Sequence, residues 1–288
     1  MTLRYDLHSH STASDGTLTP QELVLRASEA GVDVLALTDH DTTAGVEEAL
    51  TAAQETGLTL IPGVEISVTW NARTVHIVGL DIDIHSPAMQ QGLSNMLEFR
   101  NWRAEEIARR LAKAGIGGAY EGAKKFANGD VISRTHYARF LVEAGYSKSV
   151  RDVFKHYLAT NKTGYVPGEW ANLPDAVNWI TEAGGQAVIA HPARYKLTAT
   201  KLRKLIADFT ECGGVGFEVV SGSHSRDEYY TMANFARLHK LYSSAGSDYH
   251  GPEQPWIELG RLPALPEGCI PIWEQWDINS KLQSARNT

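Results

Sequence analysis

The chain has 288 residues, of which 43% are hydrophobic and 21% charged, a composition typical of a soluble globular enzyme. Its formal net charge of −7 disfavours non-specific binding of polyanions. No segment approaches the roughly 18 consecutive apolar residues of a transmembrane helix, and the first residues lack the apolar region of a secretory signal. Together with two isolated cysteines, Cys212 and Cys269, these features predict a cytoplasmic protein with no membrane partner.

The first third of the chain alternates short apolar segments with amphipathic ones, which predicts parallel βα units. A strand at 4–8 is followed by a helix that begins at Thr19-Pro20-Gln21-Glu22, a capping box with proline at the first helical position. This helix ends at Gly31. The next predicted elements are a strand at 32–38, a helix at 44–56 and strands at 58–61, 64–70 and 74–82.

Between about 86 and 183 the pattern becomes helical and polar, and strands alternate with helices again from 187. The predicted helices of the middle region are 96–115, 119–128, 134–144, 149–159 and 174–183. The later predicted elements are a strand at 187–190, a helix at 198–211, a strand at 215–220, a helix at 226–239 and a strand at 241–245. We therefore expect an α/β barrel formed by residues 1–85 and 171–288, with a helical insertion at 86–170 that caps the active site.

Side chains that can bind metal stand just after the apolar segments or within them. They are His8, His10, Asp15, His40, Glu65, His76, His191, Asp248 and His250. Residues at strand ends converge on one face of an α/β barrel. Nitrogen and oxygen ligands without cysteine suit divalent manganese, iron or zinc, and nine are more than one ion needs. The sequence therefore predicts a multinuclear metal site.

The individual signals differ in strength. His8 and His10 are two residues apart, so on a strand both imidazoles leave the same face. Glu65 stands in an otherwise apolar segment, and a buried carboxylate costs several kcal/mol unless it is paired or bound to metal. His76 is the weakest member, because a single histidine among apolar neighbours is more typical of a core residue.

Two acids flank His40 in the sequence Asp39-His40-Asp41. His40 is the predicted ligand, and either Asp39 or Asp41 could orient a neighbouring imidazole. The alternative interpretation of this segment is the solvated start of a helix.

Taken together, these residues resemble the PHP (polymerase and histidinol phosphatase) family of metal-dependent phosphoesterases. The matching segments lie in family order between residues 6 and 250 and read DLHSHSTASDGTLTP, ALTDHDT, PGVEIS, TVHIVGL, AHP and GSDYH. The resemblance implies a distorted (β/α)7 barrel, the PHP fold, that holds three divalent metal ions. Manganese is the commonest of these, and iron or zinc is also possible.

The resemblance also implies how the ligands are shared. One ion would be bound by His8, His10, Glu65 and Asp248, a second by Asp15, His40 and His250, and a third by Glu65, His76 and His191. The expected nucleophile is a hydroxide that bridges two of the ions, because metal coordination lowers the pKa of water. The sequence does not indicate a general acid.

At finer grain the chain is similar to stand-alone members with a helical insertion, through the segments NKTGYVP, HPARY and GSDYHGP. Those members remove the 3′-phosphate from nucleoside 3′,5′-bisphosphates and remove nucleotides from the 5′ end of 5′-monophosphorylated RNA. The implied partners are therefore nucleotides and RNA, and no obligate protein partner is expected. The residues predicted to bind substrate are Arg134, His136, Lys162 and Arg194, for which ordinary surface charge is the alternative.

Two other functions stay open at this point. A histidinol-phosphate phosphatase would share the barrel and its metals but act on a small amino-alcohol phosphate. A non-catalytic, metal-stabilised binding module would keep the fold without turnover, although the complete set of ligand residues argues against it.

Overall fold

The structure is a computed structural model that describes residues 3–276, in which seven strands form one sheet in chain order. The strands are β1 (Tyr5–Asp6), β2 (Val34–Leu37), β3 (Thr59–Trp70), β4 (Arg73–Leu80), β5 (Gln186–Ile189), β6 (Gly216–Ser221) and β7 (Tyr242–Gly246). The two ends of the sheet meet where the Leu7 N–H donates to the Ala245 carbonyl at 2.9 Å. The sheet is thus a nearly closed barrel, which confirms the predicted α/β barrel.

The distortion of the barrel lies at β4, which runs antiparallel to both β3 and β5, whereas the other neighbouring strands are parallel. The prediction of two strands at 58–61 and 64–70 is wrong, because β3 is continuous. Pairing with β2 ends at Pro62 and pairing with β4 begins at Gly63. The proline lacks an N–H donor, but it stands where the strand changes partner and does not end it.

Nine α-helices surround or extend the described sheet. They are α1 (Pro20–Glu29), α2 (Val46–Thr56), α3 (Pro87–Lys113), α4 (Ala119–Lys124), α5 (Arg134–Glu143), α6 (Val150–Val153), α7 (Leu173–Glu182), α8 (Ala199–Glu211) and α9 (Arg226–Leu238). A π-helical turn (Phe154–Leu158) continues α6, and short 3-10 helices occur at Pro192–Tyr195 and Ile272–Gln275. Within residues 3–276, the length and apolarity required to cross a membrane are not combined in any helix.

Alternation along the strands points polar residues into the barrel interior. Ile61, Val78 and Val188 belong to one buried cluster contributed by adjacent strands. Glu65 lies four residues after Ile61, and His76 lies two residues before Val78, so both share the inner face of their strands. The barrel interior is therefore apolar at one end and carries metal-binding groups at the other.

The helices between β4 and β5 contain a hydrophobic cluster of their own, which includes Ile107, Leu111, Tyr137 and Val153. Helix α3 connects this cluster to the barrel, because Met89 near its start packs in the cluster that contains β3 and α7. We propose residues 86–170 as the limits of the insertion.

Candidate active site

All nine residues predicted to bind metal lie together at one end of the barrel. Loops after strands supply most of them, and β3 and β4 supply Glu65 and His76 directly. The groups whose ligand atoms lie within 4.8 Å of one another are His10, Asp15, His40 and His250; His8, Glu65 and His191; His8, His10 and Asp248; and His40, Glu65 and His76. The groups overlap, so they form one continuous cluster.

Glu65 is the centre of this cluster and is fully buried. Its Oε1 lies 2.8 Å from His76 Nδ1 and 2.9 Å from His191 Nε2. Its Oε2 lies 2.9 Å from His40 Nδ1 and 3.4 Å from His8 Nε2. Both carboxylate oxygens face imidazole nitrogens, an arrangement suited to a carboxylate that bridges metal ions.

The other two predicted carboxylate ligands, Asp248 and Asp15, also lie close to imidazoles of the cluster. Asp248 Oδ1 is 3.3 Å from His10 Nε2. Asp15 Oδ1 is 3.3 Å from His250 Nε2 and 3.9 Å from His40 Nε2. These separations are short enough for a carboxylate oxygen and an imidazole nitrogen to bind the same metal ion.

Several of the converging atoms are buried without a hydrogen-bond partner in the described part of the chain. They include His8 Nε2, His10 Nε2, Asp15 Oδ1 and Glu65 Oε2. Buried polar atoms are normally paired, and such orphans are explained when an ion occupies the space between them. Because all the donors are nitrogen and oxygen atoms, the residues fit divalent metal ions.

Burial and mutual charge set the protonation of the cluster. Burial alone would raise the pKa of Glu65, but His76, His40 and His8 hold it well below its usual range. Burial lowers the pKa of His10 to about 3 and the pKa of His76 to about 4. Burial would lower the pKa of His8, His40 and His250, but the neighbouring carboxylates raise it. Binding of a metal ion at these imidazoles would therefore release protons, because the neutral ring is the form that binds metal.

Glu218 on β6 is a functional residue that the sequence analysis missed. Its Oε1 lies 2.9 Å from His8 Nδ1, and its Oε2 accepts the backbone N–H of His191. Gly246 lets β7 pass close to this pair, because a Cβ there would lie 2.2 Å from the His8 Cβ. Glu218 therefore orients His8 so that Nε2 faces the cluster, as carboxylates behind metal-binding histidines do.

Two of the metal-binding residues have strained backbones. His191 has φ +28° and Asp248 has φ +58°, in or near the left-handed region. Such conformations cost about 1–3 kcal/mol each in non-glycine residues and persist only where the surrounding structure imposes them. Their occurrence at two strand ends marks this part of the barrel as functional.

The acids that flank His40 do not orient an imidazole, contrary to one interpretation of the sequence. Asp39 accepts hydrogen bonds from the Ser11 and Ser14 hydroxyls at 2.6 and 2.5 Å. Asp41 accepts a hydrogen bond from Arg100 Nε at 2.7 Å. These bonds tie Asp39 to the loop after β1 and Asp41 to the insertion, and the loop between β2 and α2 turns at Asp41, which has φ +52°.

A cavity of about 220 Å³ connects the cluster to the insertion. His40, His76, Asp248 and other metal-binding residues line one end. The cavity is also lined by four arginines, namely Arg100, Arg103, Arg134 and Arg194. We call the part of this cavity at the predicted metal ligands the metal end, and the part at Arg100, Arg103 and Arg134 the cationic, or arginine, end. Arg194 belongs to the metal end, because it is bonded to Asp248.

The predicted substrate-binding residues divide into two pairs. Arg134 and Arg194 line the cavity, and Arg194 Nη1 donates to Asp248 Oδ2 at 2.6 Å. His136 is buried, and its Nδ1 accepts the backbone N–H of Ser133 at the start of α5. Lys162 is exposed and lies outside the described cavity lining.

Arg100 and Arg103 are cavity residues that the sequence analysis did not identify. They are three residues apart on α3, and both are buried. Their guanidinium carbons lie 5.0 and 5.1 Å from the centroid of the Trp170 ring. Arg103 also donates to the Val166 carbonyl within the insertion, whereas the hydrogen bonds of Arg100 go to Asp41 and Ser67 of the barrel.

Comparison with known proteins identifies the family. The model of the PHP domain matches residues 6–166 of the chain. The chain belongs to the PHP family. This PHP protein is therefore a metal-dependent phosphoester hydrolase, as its motifs predicted.

Relatives of this PHP protein are similar over nearly its whole length. The 5′-3′ exoribonuclease Rnm of Escherichia coli is 51% identical over 275 residues, which cover 95% of this chain and 94% of the relative. The 3′,5′-nucleoside bisphosphate phosphatase of Chromobacterium violaceum is 49% identical over 271 residues, covering 94% and 95%. A solved structure of an amidohydrolase from Chromobacterium violaceum with bound sulfate is 47% identical, with a TM-score of 0.92 and coverage of 98% and 96%.

Proposed function

We propose that this PHP protein removes the 3′-phosphate from nucleoside 3′,5′-bisphosphates and removes nucleotides from the 5′ end of 5′-monophosphorylated RNA. One observation carries the proposal: metal-binding residues and four arginines line the same cavity. The names of the two relatives, an exoribonuclease and a nucleoside bisphosphate phosphatase, support both activities.

The metal end would hold three divalent ions, with manganese the first candidate and iron or zinc also suitable. The proposed ligand sets are His8, His10, Glu65 and Asp248; Asp15, His40 and His250; and Glu65, His76 and His191. Bound ions would activate water and neutralise the charge that develops on the phosphoryl group. The chain's own residues hold the carboxylates ionised, keep His10 and His76 neutral and orient His8 through Glu218.

The cationic end would hold the 5′-phosphate. Arginine presents a planar set of donors that binds phosphate oxygens in pairs. Arg134 lines this end of the cavity, whereas Arg194 would bind substrate beside the metal ligands, because it donates to Asp248. Burial lowers the pKa of His136 to about 4, so His136 would take part as a neutral hydrogen-bonding group. The exposed Lys162 would act at longer range.

A single geometry explains both activities. A nucleoside 3′,5′-bisphosphate has a 5′-phosphate to be held and a 3′-phosphate to be cleaved. A 5′-monophosphorylated RNA presents the same unit, with its 3′-phosphate esterified to the next nucleotide.

A substrate panel tests the proposal. Enzyme loaded with Mn²⁺ is assayed on 3′-phosphoadenosine 5′-phosphate, adenosine 3′-phosphate, histidinol phosphate, and one RNA sequence with a 5′-phosphate or a 5′-hydroxyl. We expect the bisphosphate and the 5′-phosphorylated RNA to be hydrolysed fastest. Equal rates on 5′-phosphate and 5′-hydroxyl forms would contradict the proposed role of the cationic end.

The same panel separates the alternatives. Histidinol phosphate has one phosphate, which leaves the arginine end without a partner, so the histidinol-phosphate phosphatase is not favoured. Turnover of any substrate would exclude the non-catalytic binding module. Elemental analysis of protein purified from manganese-supplemented cells tests the metal number: we expect three ions per chain and two in His76→Ala, and one or none in the unaltered protein would contradict the assignment.

A further inference from the structure

Asp41 occupies an unusual position beside the cluster. It follows His40, it is buried, and its φ of +52° lies in the left-handed region. Its backbone N–H donates to the Glu65 carbonyl at 2.9 Å, and its Oδ1 accepts the Ser67 N–H at 2.6 Å. The backbone N–H and the side chain of Asp41 are thus both bonded to the strand that carries Glu65.

The second carboxylate oxygen of Asp41 reaches across to the insertion. Oδ2 accepts hydrogen bonds from both Nε and Nη2 of Arg100, and Arg100 Nη2 also lies 3.2 Å from Ser67 Oγ. A guanidinium has five N–H groups in a fixed plane. These contacts engage three of them and leave the two on Nη1 for a ligand in the cavity that Arg100 lines.

We propose that Asp41 is a positioning residue that sets the orientation of Arg100 toward the 5′-phosphate. The inference rests on the proposed function, because it takes the arginine end of the cavity as the phosphate anchor. A long arginine side chain on α3 would otherwise sample many rotamers. Asp41 fixes it from the segment that carries His40, so the distance between anchor and metal-binding residues is set by one buried contact.

A role in stability alone does not account for this pair. A buried ion pair typically contributes little net stability relative to well-packed apolar residues of similar size, because removing two charges from water offsets their attraction. A fixed position for Arg100 benefits catalysis, because a 5′-phosphate bound by a displaced arginine would hold the 3′-phosphate in the wrong geometry for reaction. Asp41 should therefore matter for substrates with a 5′-phosphate and hardly at all for those without one.

The variant Asp41→Asn isolates this effect. Asparagine tolerates left-handed φ better than most residues, and it retains an oxygen that can accept the Ser67 N–H. What it loses is the negative charge that faces Arg100. We measure kcat and KM on 3′-phosphoadenosine 5′-phosphate and on adenosine 3′-phosphate, together with metal content and melting temperature.

We expect kcat/KM on the bisphosphate to fall about 10- to 100-fold, with less than about a threefold change on the monophosphate. Metal content should stay that of the unaltered protein. Asp39→Asn is the matched control, because it also neutralises a buried carboxylate next to His40. The Asp39 carboxylate is bonded to Ser11 and Ser14 and not to an arginine. Asp39→Asn should leave the ratio of the two kcat/KM values unchanged.

A double-mutant comparison shows whether Asp41 acts through Arg100. In an Arg100→Lys background, Asp41→Asn should cause little further loss on the bisphosphate. Equal losses on both substrates, or the full loss again in that background, would overturn the proposal. If Asp41→Asn does not fold, Ser67→Ala removes the other side-chain contact of Arg100 and should lower the same ratio, and an unchanged ratio overturns the proposal.

The failure of the proposed function would look different. In that case the unaltered enzyme would itself show no preference for the 5′-phosphorylated substrate. A preserved preference that Asp41→Asn does not reduce would leave the proposed function in place and remove only the role of Asp41.

Discussion

The two ends of the cavity are built in different ways. At the metal end, every proposed ligand comes from a barrel strand or from the loop that follows one. At the arginine end, Arg100, Arg103 and Arg134 come from helices between β4 and β5. If the proposed function is correct, this contrast is a division of labour, in which the barrel provides the hydrolytic chemistry and the insertion selects the phosphate ester.

The contacts that hold the side chains also differ between the two ends. Glu65 is surrounded by imidazoles on short side chains, which leaves it little freedom. The arginines are long, and three of them lie over aromatic rings: Arg100 and Arg103 over Trp170, and Arg134 over Phe154. Changes at the metal end should therefore affect all substrates alike, whereas changes at the arginine end should discriminate among substrates.

The largest effect is expected at Glu65. Glu65→Gln keeps the size of the side chain but removes the charge that faces five imidazoles. We expect kcat/KM to fall on the order of 10³-fold on every substrate, which corresponds to ~4 kcal/mol of transition-state stabilisation. Steady-state kinetics on the bisphosphate and on adenosine 3′-phosphate measures it. The control is Glu182→Gln at an exposed carboxylate of α7, and a loss confined to one substrate would contradict the division of labour.

Arg134→Ala tests the other end. Losing a buried, charge-assisted contact with the 5′-phosphate should cost about 2–4 kcal/mol, or roughly 30- to 1,000-fold in kcat/KM on 5′-phosphorylated substrates. The rate on 5′-hydroxyl substrates should barely change. Kinetics on paired RNAs that differ only at the 5′ end gives the comparison, with the exposed Lys155→Ala as control. Equal losses on both RNAs would assign Arg134 to the scissile phosphate or to the fold.

Glu218→Gln separates metal binding from chemistry. The carboxylate faces His8 Nδ1 and accepts the His191 N–H, and an amide cannot present an acceptor to both positions at once. We expect a 10- to 100-fold loss of metal affinity, the range of ~10–100-fold seen when the groups behind metal-binding histidines are changed. Equilibrium dialysis with Mn²⁺ measures it, and Glu228→Gln in the exposed cap of α9 is the control. Activity that excess Mn²⁺ does not restore would argue against an orienting role.

Glu218 also illustrates which residues of the site can be predicted from the sequence. Glu65 was predicted because an acid within an apolar segment needs a partner, and Glu218 stands in the equally apolar segment 215–220. The signal was therefore present, but no nearby histidine drew attention to it. Most of the proposed metal ligands were recognisable because they follow a strand end, where local sequence and barrel geometry together determine position, whereas Glu65 and His76 lie within β3 and β4.

Two residues of the arginine end were not predictable in this way. Arg100 and Arg103 belong to a helix rich in arginine and glutamate, a pattern that ordinarily marks a solvated surface. They are buried because Trp170, from a distant segment, packs beside them. Such a contact depends on tertiary packing and leaves no local pattern in the sequence.

The fold was predicted from the sequence more completely than the arginine end. Alternating strands and helices predicted the barrel, which the structure confirms. The antiparallel pairing of β3 and β4 was not predicted, although the three residues between the predicted strands 64–70 and 74–82 are too few for the crossover that parallel strands require. The reversal at Asn71 and Ala72, both with positive φ, makes that hairpin possible.

The smallest effect is expected for Lys162→Ala. Lys162 is exposed and lies outside the described cavity lining, so it can act on an RNA only through the electrostatic field around the cavity entrance. At low ionic strength we expect a decrease of about two- to threefold in kcat/KM on 5′-phosphorylated RNA, carried by KM. The decrease should vanish in 0.5 M salt, where the screening length falls to about 4 Å. A salt-independent loss, or one as large as that of Arg134→Ala, would show direct contact between Lys162 and the substrate and would extend the arginine end beyond the cavity.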